Sequence, residues 1–269
     1  YKLYLSPCKC RYSTGNMFGS QRLKLLINDL SFDIDYAKYV DDTTVVSVSS
    51  DPGDRSLQSA ADRLLEWCVD NHMQINAKKT KEMVIYFGKK FAKDAVPFVT
   101  FTSDQIERVD TFKLLGVMFS SDLSWGPHVL YILSKVSKRY YLIFQLARVG
   151  VAQHDIILIY CAIIRSVLEY ACAVWHSGLT SAQSNDIERV QKRCLRIIFP
   201  ELSYSDALFV AGLDRLSVRR EQIVRDTFKK MKLPSHVLHN LLPAKLGHQF
   251  KEISRLLVFA TSCKDAALC

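Results

Sequence analysis

The stretch from Ala37 to Val46, AKYVDDTTVV, sets two adjacent carboxylates, Asp41 and Asp42, between runs rich in strand-forming residues. Carboxylate oxygens held at a rigid turn are hard ligands. They suit Mg²⁺, which keeps several waters and shares its shell with substrate phosphates. Two such ions about 4 Å apart can activate an attacking hydroxyl and stabilise a leaving pyrophosphate. The same residues also suit an ordinary hairpin, because Asp is common in tight turns. Taken alone, Tyr39-x-Asp41-Asp42 leaves turn and metal site open.

The elements that would position this pair follow from periodicity. Asp51-Pro52-Gly53-Asp54 marks a helix start, and Leu57, Ala60, Ala61, Leu64, Leu65 and Cys68 then share one helical face. Residues 82–87 read as a strand, with two more strand-like pieces around 97–101 and 111–119. Residues 20–30 read as a short helix, and residues 1–20 show no clear period. Residues 31–120 therefore predict strands and a helix packed in two layers.

After Trp125 the pattern is helical. Val129, Ile132, Leu133, Val136, Tyr140, Ile143, Phe144 and Ala147 form one apolar stripe, with Pro127 in the first turn. The segment 155–175 is apolar nearly all round and predicts a central buried helix. An amphipathic helix over 181–199 stops at Pro200, and another covers roughly 214–232. The expected class is α+β, with a β-rich part over 1–123, a helical part over 124–243 and an unassigned tail over 244–269.

A net charge of +9 points to a polyanionic partner. Between Leu130 and Lys232, 16 Lys and Arg stand against 9 Asp and Glu, so +7 of the +9 lies there. Arg189, Lys192, Arg193 and Arg196 stand at helical spacing and form one basic stripe, which is either a solvated face or a phosphate-binding one. The eight cysteines include no C-x-x-C, and the middle ones sit in apolar helical patterns. Reduced thiols in an intracellular protein are expected, with no signal peptide and no membrane span. His128 and His176 lack metal-ligand spacing and read as structural.

Further motifs follow the Asp pair in order. Trp67, Met73, Ile75, Asn76, Lys79 and Thr80 come first, then Lys113, Leu115, Gly116, Val117, Phe119, Leu123, Trp125 and His128. With these the sequence resembles the reverse transcriptase of LINE-type, jockey-like non-LTR retrotransposons, from about residue 12 to residue 243. The resemblance implies a partial polymerase palm followed by a thumb-like helical region. It implies an RNA template, a DNA primer and dNTP substrates, with two Mg²⁺ ions in an intact enzyme. Asp41 and Asp42 match the metal-binding pair. Tyr39 is expected to pack under the hairpin and touch the primer end, and Lys79 matches a lysine proposed to assist pyrophosphate departure. Leu115, Gly116 and Val117 match the primer grip. Arg189, Lys192, Arg193 and Arg196 would contact duplex phosphates.

Two departures from the pattern shape what to expect of this chain. A third metal-binding Asp belongs to a palm strand upstream of the point where this sequence begins, and Asp33 and Asp35 read only as polar residues of a connection. Where the family has Pro-Gln-Gly, this chain has Ser13-Thr14-Gly15. The expectation is a polymerase fragment inactive as an isolated chain. The alternative is a non-catalytic nucleic-acid-binding remnant of a retroelement, and a more distant one is an α-helical interaction protein in which Asp41 and Asp42 only turn the chain. No protein partner can be inferred.

Overall fold

The computed structural model describes residues 8–12, 29–39, 42–51, 53–86, 96–102 and 104–242. The helix expected over 20–30, apart from Asp29 and Leu30, lies outside these residues, as do Ser13-Thr14-Gly15 and the tail beyond 242. The chain divides into two compact units, Tyr1–Leu123 and Ser124–Cys269. Mixed small sheets and helices make it α+β.

In the first unit, strands β1 (Cys8–Tyr12), β2 (Asp35–Tyr39), β3 (Asp42–Val46) and β4 (Met73–Ile75) form an antiparallel sheet in the order β2-β3-β1-β4. Helix α1 (Ser56–Asp70) covers one face. Its start is set by Asp54, whose carboxylate accepts from the Ser56 backbone N–H and hydroxyl, each at 2.9 Å. These bonds, the backbone one first, hold the Asp54 pKa below its ordinary value. Leu57, Ala60, Ala61, Leu64 and Cys68 are buried and share a core with Val45, Met73, Val84, Val99, Phe101 and Ile106. Each fully buried Leu of this kind contributes about 1.5–3 kcal/mol.

Three small ladders complete the unit. Strand β5 (Lys81–Glu82) pairs in parallel with β8 (Glu107–Arg108), and β6 (Thr100–Phe101) pairs with β7 (Asp104–Gln105). Strand β9 (Thr111–Leu114) forms a hairpin with β10 (Val117–Ser120). The strand expected over 82–87 is cut short. Met83, Val84 and Ile85 are buried, yet they have no ladder partner among the described residues. Their side chains still alternate as in a strand: Val84 joins the α1 core, whereas Met83 and Ile85 form a second cluster with Val46, Phe112, Leu114 and Phe119. Packing on both faces gave the apolar run without requiring a ladder.

The second unit contains α2 (Gly126–Ser137), α3 (Tyr140–Arg148), α4 (Gln153–Tyr160), a π turn (Cys161–Arg165), α5 (Ser166–Glu169), α6 (Cys172–Trp175), α7 (Ser181–Ile198), α8 (Tyr204–Ala211) and α9 (Leu216–Met231). The stripe expected as one helix over 129–147 is two. The Ser137 hydroxyl donates to the Ser134 carbonyl at 2.8 Å, competing locally with the ladder, and the Arg139 guanidinium donates to the Ile163 carbonyl. The run Gln153–Gly178 is long and apolar enough, by length and composition, to cross a membrane. Here Ile156, Tyr160, Ile164, Leu168 and Cys172 recur every fourth residue and are all buried within the unit. A spacing of four overshoots the 3.6 repeat of an α-helix, and the wider π turn takes up the excess. The run then breaks at Ala171, which adopts φ 51°.

Helix α7 starts on a capping box. The Gln183 N–H donates to Thr180 Oγ1 at 3.0 Å, and the Thr180 N–H donates to Gln183 Oε1 at 2.9 Å. Its inner face carries Ile187, Val190, Cys194 and Leu195. Cys68, Cys161, Cys172 and Cys194 are free thiols. Burial pushes the Cys194 thiol up to about 12, the pattern of an inert core cysteine.

Candidate functional site

Strand register fixes the Asp hairpin. Asp35 pairs with Val46 and so on to Tyr39 with Asp42. Val40 and Asp41 lie outside the described residues. Asp42 is thus not in the turn: it is the first paired residue of β3, half-buried, with Tyr39 on one side and Lys9 of β1 on the other. Because side chains alternate, Thr43 and Val45 face α1, where they line a cavity of about 30 Å³ with Leu57, Ala60 and Leu64. Asp42, Thr44 and Val46 take the opposite face. Val46 there packs on Met83 and Ile85 together with Phe112, Leu114 and Phe119. The structure therefore puts Asp42 on the sheet face that it shares with the β9–β10 hairpin.

Tyr39 lies directly opposite Asp42 and shares its face. It does not pack beneath the hairpin as expected from the sequence, since it is 62% exposed. Strand β2 is a sheet edge with little to cover it, and the ring stands in solvent. Asp33 precedes β2, and Asp35 begins it opposite Val46, on the face of Asp42 but about 13 Å along the strand from Tyr39.

Lys79 sits in an exposed turn that Asn76 organises. The Asn76 side chain accepts from the Lys79 N–H at 3.1 Å, and the Asn76 carbonyl accepts from the Thr80 hydroxyl at 3.1 Å. Thr80 is fully buried, which gives the Asn-x-x-x-Thr spacing a structural reason. Ile75 pairs with Cys10, and the neighbouring Lys9 pairs with Asp42. The Lys79 turn therefore begins level with Asp42 and two strands across, about 10 Å away.

The β9–β10 hairpin closes in two residues. Leu114 pairs with Val117, and Leu115 and Gly116 take φ values of 45° and 89°. Positive φ at both positions is the geometry that matches strand twist. Gly116 adopts it freely, whereas an L side chain at Leu115 pays about 1–2 kcal/mol for it. The tip of the expected primer grip is therefore a turn, not a strand, and Gly116 is required by conformation. Its neighbour stores strain at the tip.

In the helical unit, Arg189, Lys192, Arg193 and Arg196 lie exposed on one side of α7. Arg189 pairs with Asp186 one turn earlier. The Lys192 ammonium lies 5.1 Å from the Tyr204 ring centroid, and the Arg193 guanidinium 4.7 Å from that of Tyr140. In the sequence Tyr140 reads only as part of the apolar stripe and Tyr204 carries no signal, because helix-to-helix neighbours leave no trace in the spacing along one helix. His128 is buried against Trp125, Tyr131 and Trp175, and His176 Nδ1 accepts from Arg220 Nε at 3.4 Å.

No cluster of three or more His, Cys, Asp or Glu side chains suited to a metal occurs among the described residues. The donor chemistry of Asp42, a half-buried carboxylate adjoining Asp41, fits a hard divalent cation. No curated protein and no solved structure matches the chain. Residues 3–119, which carry Tyr39, Asp42, Lys79 and the Leu115–Gly116 turn, match the family model for the reverse transcriptase (RNA-dependent DNA polymerase).

Proposed function

We propose that the chain is the palm and thumb portion of an RNA-directed DNA polymerase of a LINE-type, jockey-like non-LTR retrotransposon. The observation that carries this is the hairpin register within the matched segment: Tyr39 opposite Asp42, and a face that Asp42 shares with the β9–β10 hairpin. Asp41 and Asp42 would hold Mg²⁺, which when bound supplies charge stabilisation for nucleotidyl transfer to a primer 3′-hydroxyl. Tyr39, exposed beside Asp42, would meet the primer end. Leu115, Gly116 and Val117 would grip the primer strand, the glycine letting backbone approach phosphate. Lys79 would face the leaving pyrophosphate.

The helical unit would act as the thumb. Arg189, Lys192, Arg193 and Arg196 would contact phosphates of an RNA–DNA duplex without reading its sequence. The protein would work inside the cell, on an RNA template with a DNA primer and dNTPs.

Two carboxylates hold a metal pair weakly, so the isolated chain is expected to be inactive. The measurement is primer extension on an RNA template with Mg²⁺, beside an Asp41→Asn/Asp42→Asn control. The expected result is no synthesis above the control. Robust extension lost in the control would overturn the inactivity and establish the polymerase. The alternative, a nucleic-acid-binding remnant, is favoured by the basic face of α7, which needs no metal.

A further inference from the structure

The basic stripe of α7 does not end at its own helix. On α3, which packs against α7, Tyr140 lies one turn before Phe144, and Tyr141 lies three residues before it, so the three rings share one surface. Ile143 on the other side of α3 is fully buried, which fixes the direction in which these rings point. Tyr141 is 69% exposed and Phe144 is 50% exposed. The Arg193 guanidinium over the Tyr140 ring joins this aromatic patch to the cations. On the far flank Tyr204 donates to Glu188 and accepts from Gln191 Nε2 at 3.1 Å, so the ring beneath Lys192 is held in place.

We propose that the α3–α7 face binds single-stranded nucleic acid, with phosphates on Arg189, Arg193 and Arg196 and bases stacked on Tyr141 and Phe144. The inference rests on the proposed function only in taking the α7 stripe as phosphate-binding. Single exposed apolar residues are common and need no explanation. Exposed rings beside a row of cations are a different arrangement. A duplex hides the faces of its bases and offers exposed rings nothing, whereas a single strand presents a π-face at every nucleotide. Backbone-tracking cations with adjacent aromatic rings are what such a strand requires, and base identity matters little to stacking.

The test is fluorescence anisotropy of the purified 269-residue chain with a labelled single strand and with an RNA–DNA duplex of equal length. Tyr141→Ala/Phe144→Ala alters only exposed side chains, and its thermal unfolding is expected to match that of the unaltered chain. It should weaken single-strand binding about tenfold while leaving duplex affinity within about twofold. Tyr141→Phe/Phe144→Tyr should restore single-strand binding. Arg189→Ala/Arg196→Ala should weaken both ligands and lower the salt slope of log K by about two. An alanine variant that keeps its single-strand affinity, or loses both affinities equally, overturns the inference and leaves the stripe standing. An arginine variant with unchanged affinity for both ligands overturns the stripe as well.

Discussion

Replacing Arg108 with alanine is expected to destabilise the first unit by about 3–5 kcal/mol, because it strips the partner from a buried carboxylate. Glu82 is almost wholly buried, and Arg108 Nη2 donates to its Oε1 at 2.9 Å. The same guanidinium nitrogen donates to the Val96 and Pro97 carbonyls, both at 3.1 Å, and Arg108 Cζ lies 4.0 Å from the Phe98 ring centroid. Desolvation still outweighs these bonds and holds the Glu82 pKa above its ordinary value. A raised folded pKa means that the native state binds the proton more tightly than the unfolded one. The contribution of Glu82 to stability is therefore full below the ordinary carboxylate range and lost as pH rises through the raised value.

In Arg108→Ala the loss should be larger at pH 8 than at pH 5, since the orphaned acid can accept a proton at the lower pH. Urea unfolding at the two pH values measures both effects. Glu82→Met/Arg108→Met, which removes both charges and keeps the bulk, should recover most of the loss. A cost below about 1 kcal/mol for the alanine variant would mean that the pair contributes little. The pair bears on the site through geometry. It locks β5 to β8, and the chain passes from Arg108 into the hairpin whose tip is Leu115–Gly116.

Apolar periodicity located what buries, and it located pairing less well. The α1 face was readable because Leu57, Ala60, Ala61, Leu64 and Cys68 all enter one core, so pattern and packing agree. Residues 83–85 read as a strand because they form an apolar run, and their side chains do alternate between two packed faces, yet no ladder accompanies them among the described residues. Alternation reports two packed faces and is silent on hydrogen-bond partners. The helical stripe from Val129 stayed buried at Val129, Ile132, Val136 and Ile143, but the helix broke at Lys138–Arg139 and Phe144 turned outward. At the break Arg139 reaches the Ile163 carbonyl in a distant segment, and such a contact has no signature in local spacing.

The site shows the same division. The Asp hairpin was legible in its residue types, since strand formers flank a turn-forming pair. Its face was not: that Asp42 shares a side with the β9–β10 hairpin follows only from where Val46 and Ile85 pack. The exposure of Tyr39 was equally hidden, because a sheet edge is defined by strands that do not come. On α7 the four cations were visible as a stripe, and the tyrosines that flank them belong to neighbouring helices.

His128 is expected to make the helical unit acid-sensitive between about pH 6.5 and pH 4, by about 3 kcal/mol in all. Its ring is buried on α2, with centroid distances of 5.2 Å to Trp175, 6.2 Å to Trp125 and 6.4 Å to Tyr131. Burial lowers its pKa to about 4. Below the unfolded value the denatured chain takes up a proton that the native ring refuses. Stability therefore falls as pH drops, and it levels once the native ring protonates as well. The Arg220 guanidinium, 5.8 Å from the centroid of Trp175, adds positive charge on the side of that ring system where His176 also lies. His176 is likewise lowered, by burial first and Arg220 second, and contributes a residual slope of the same sign. His128→Phe keeps an aromatic ring in the slot and should stay within about 1 kcal/mol of the original at pH 7.5. Between pH 6.5 and pH 4 its unfolding free energy should fall clearly less steeply. Equal slopes in the two proteins would show that His128 protonates as easily folded as unfolded, and that the aromatic slot is open to water.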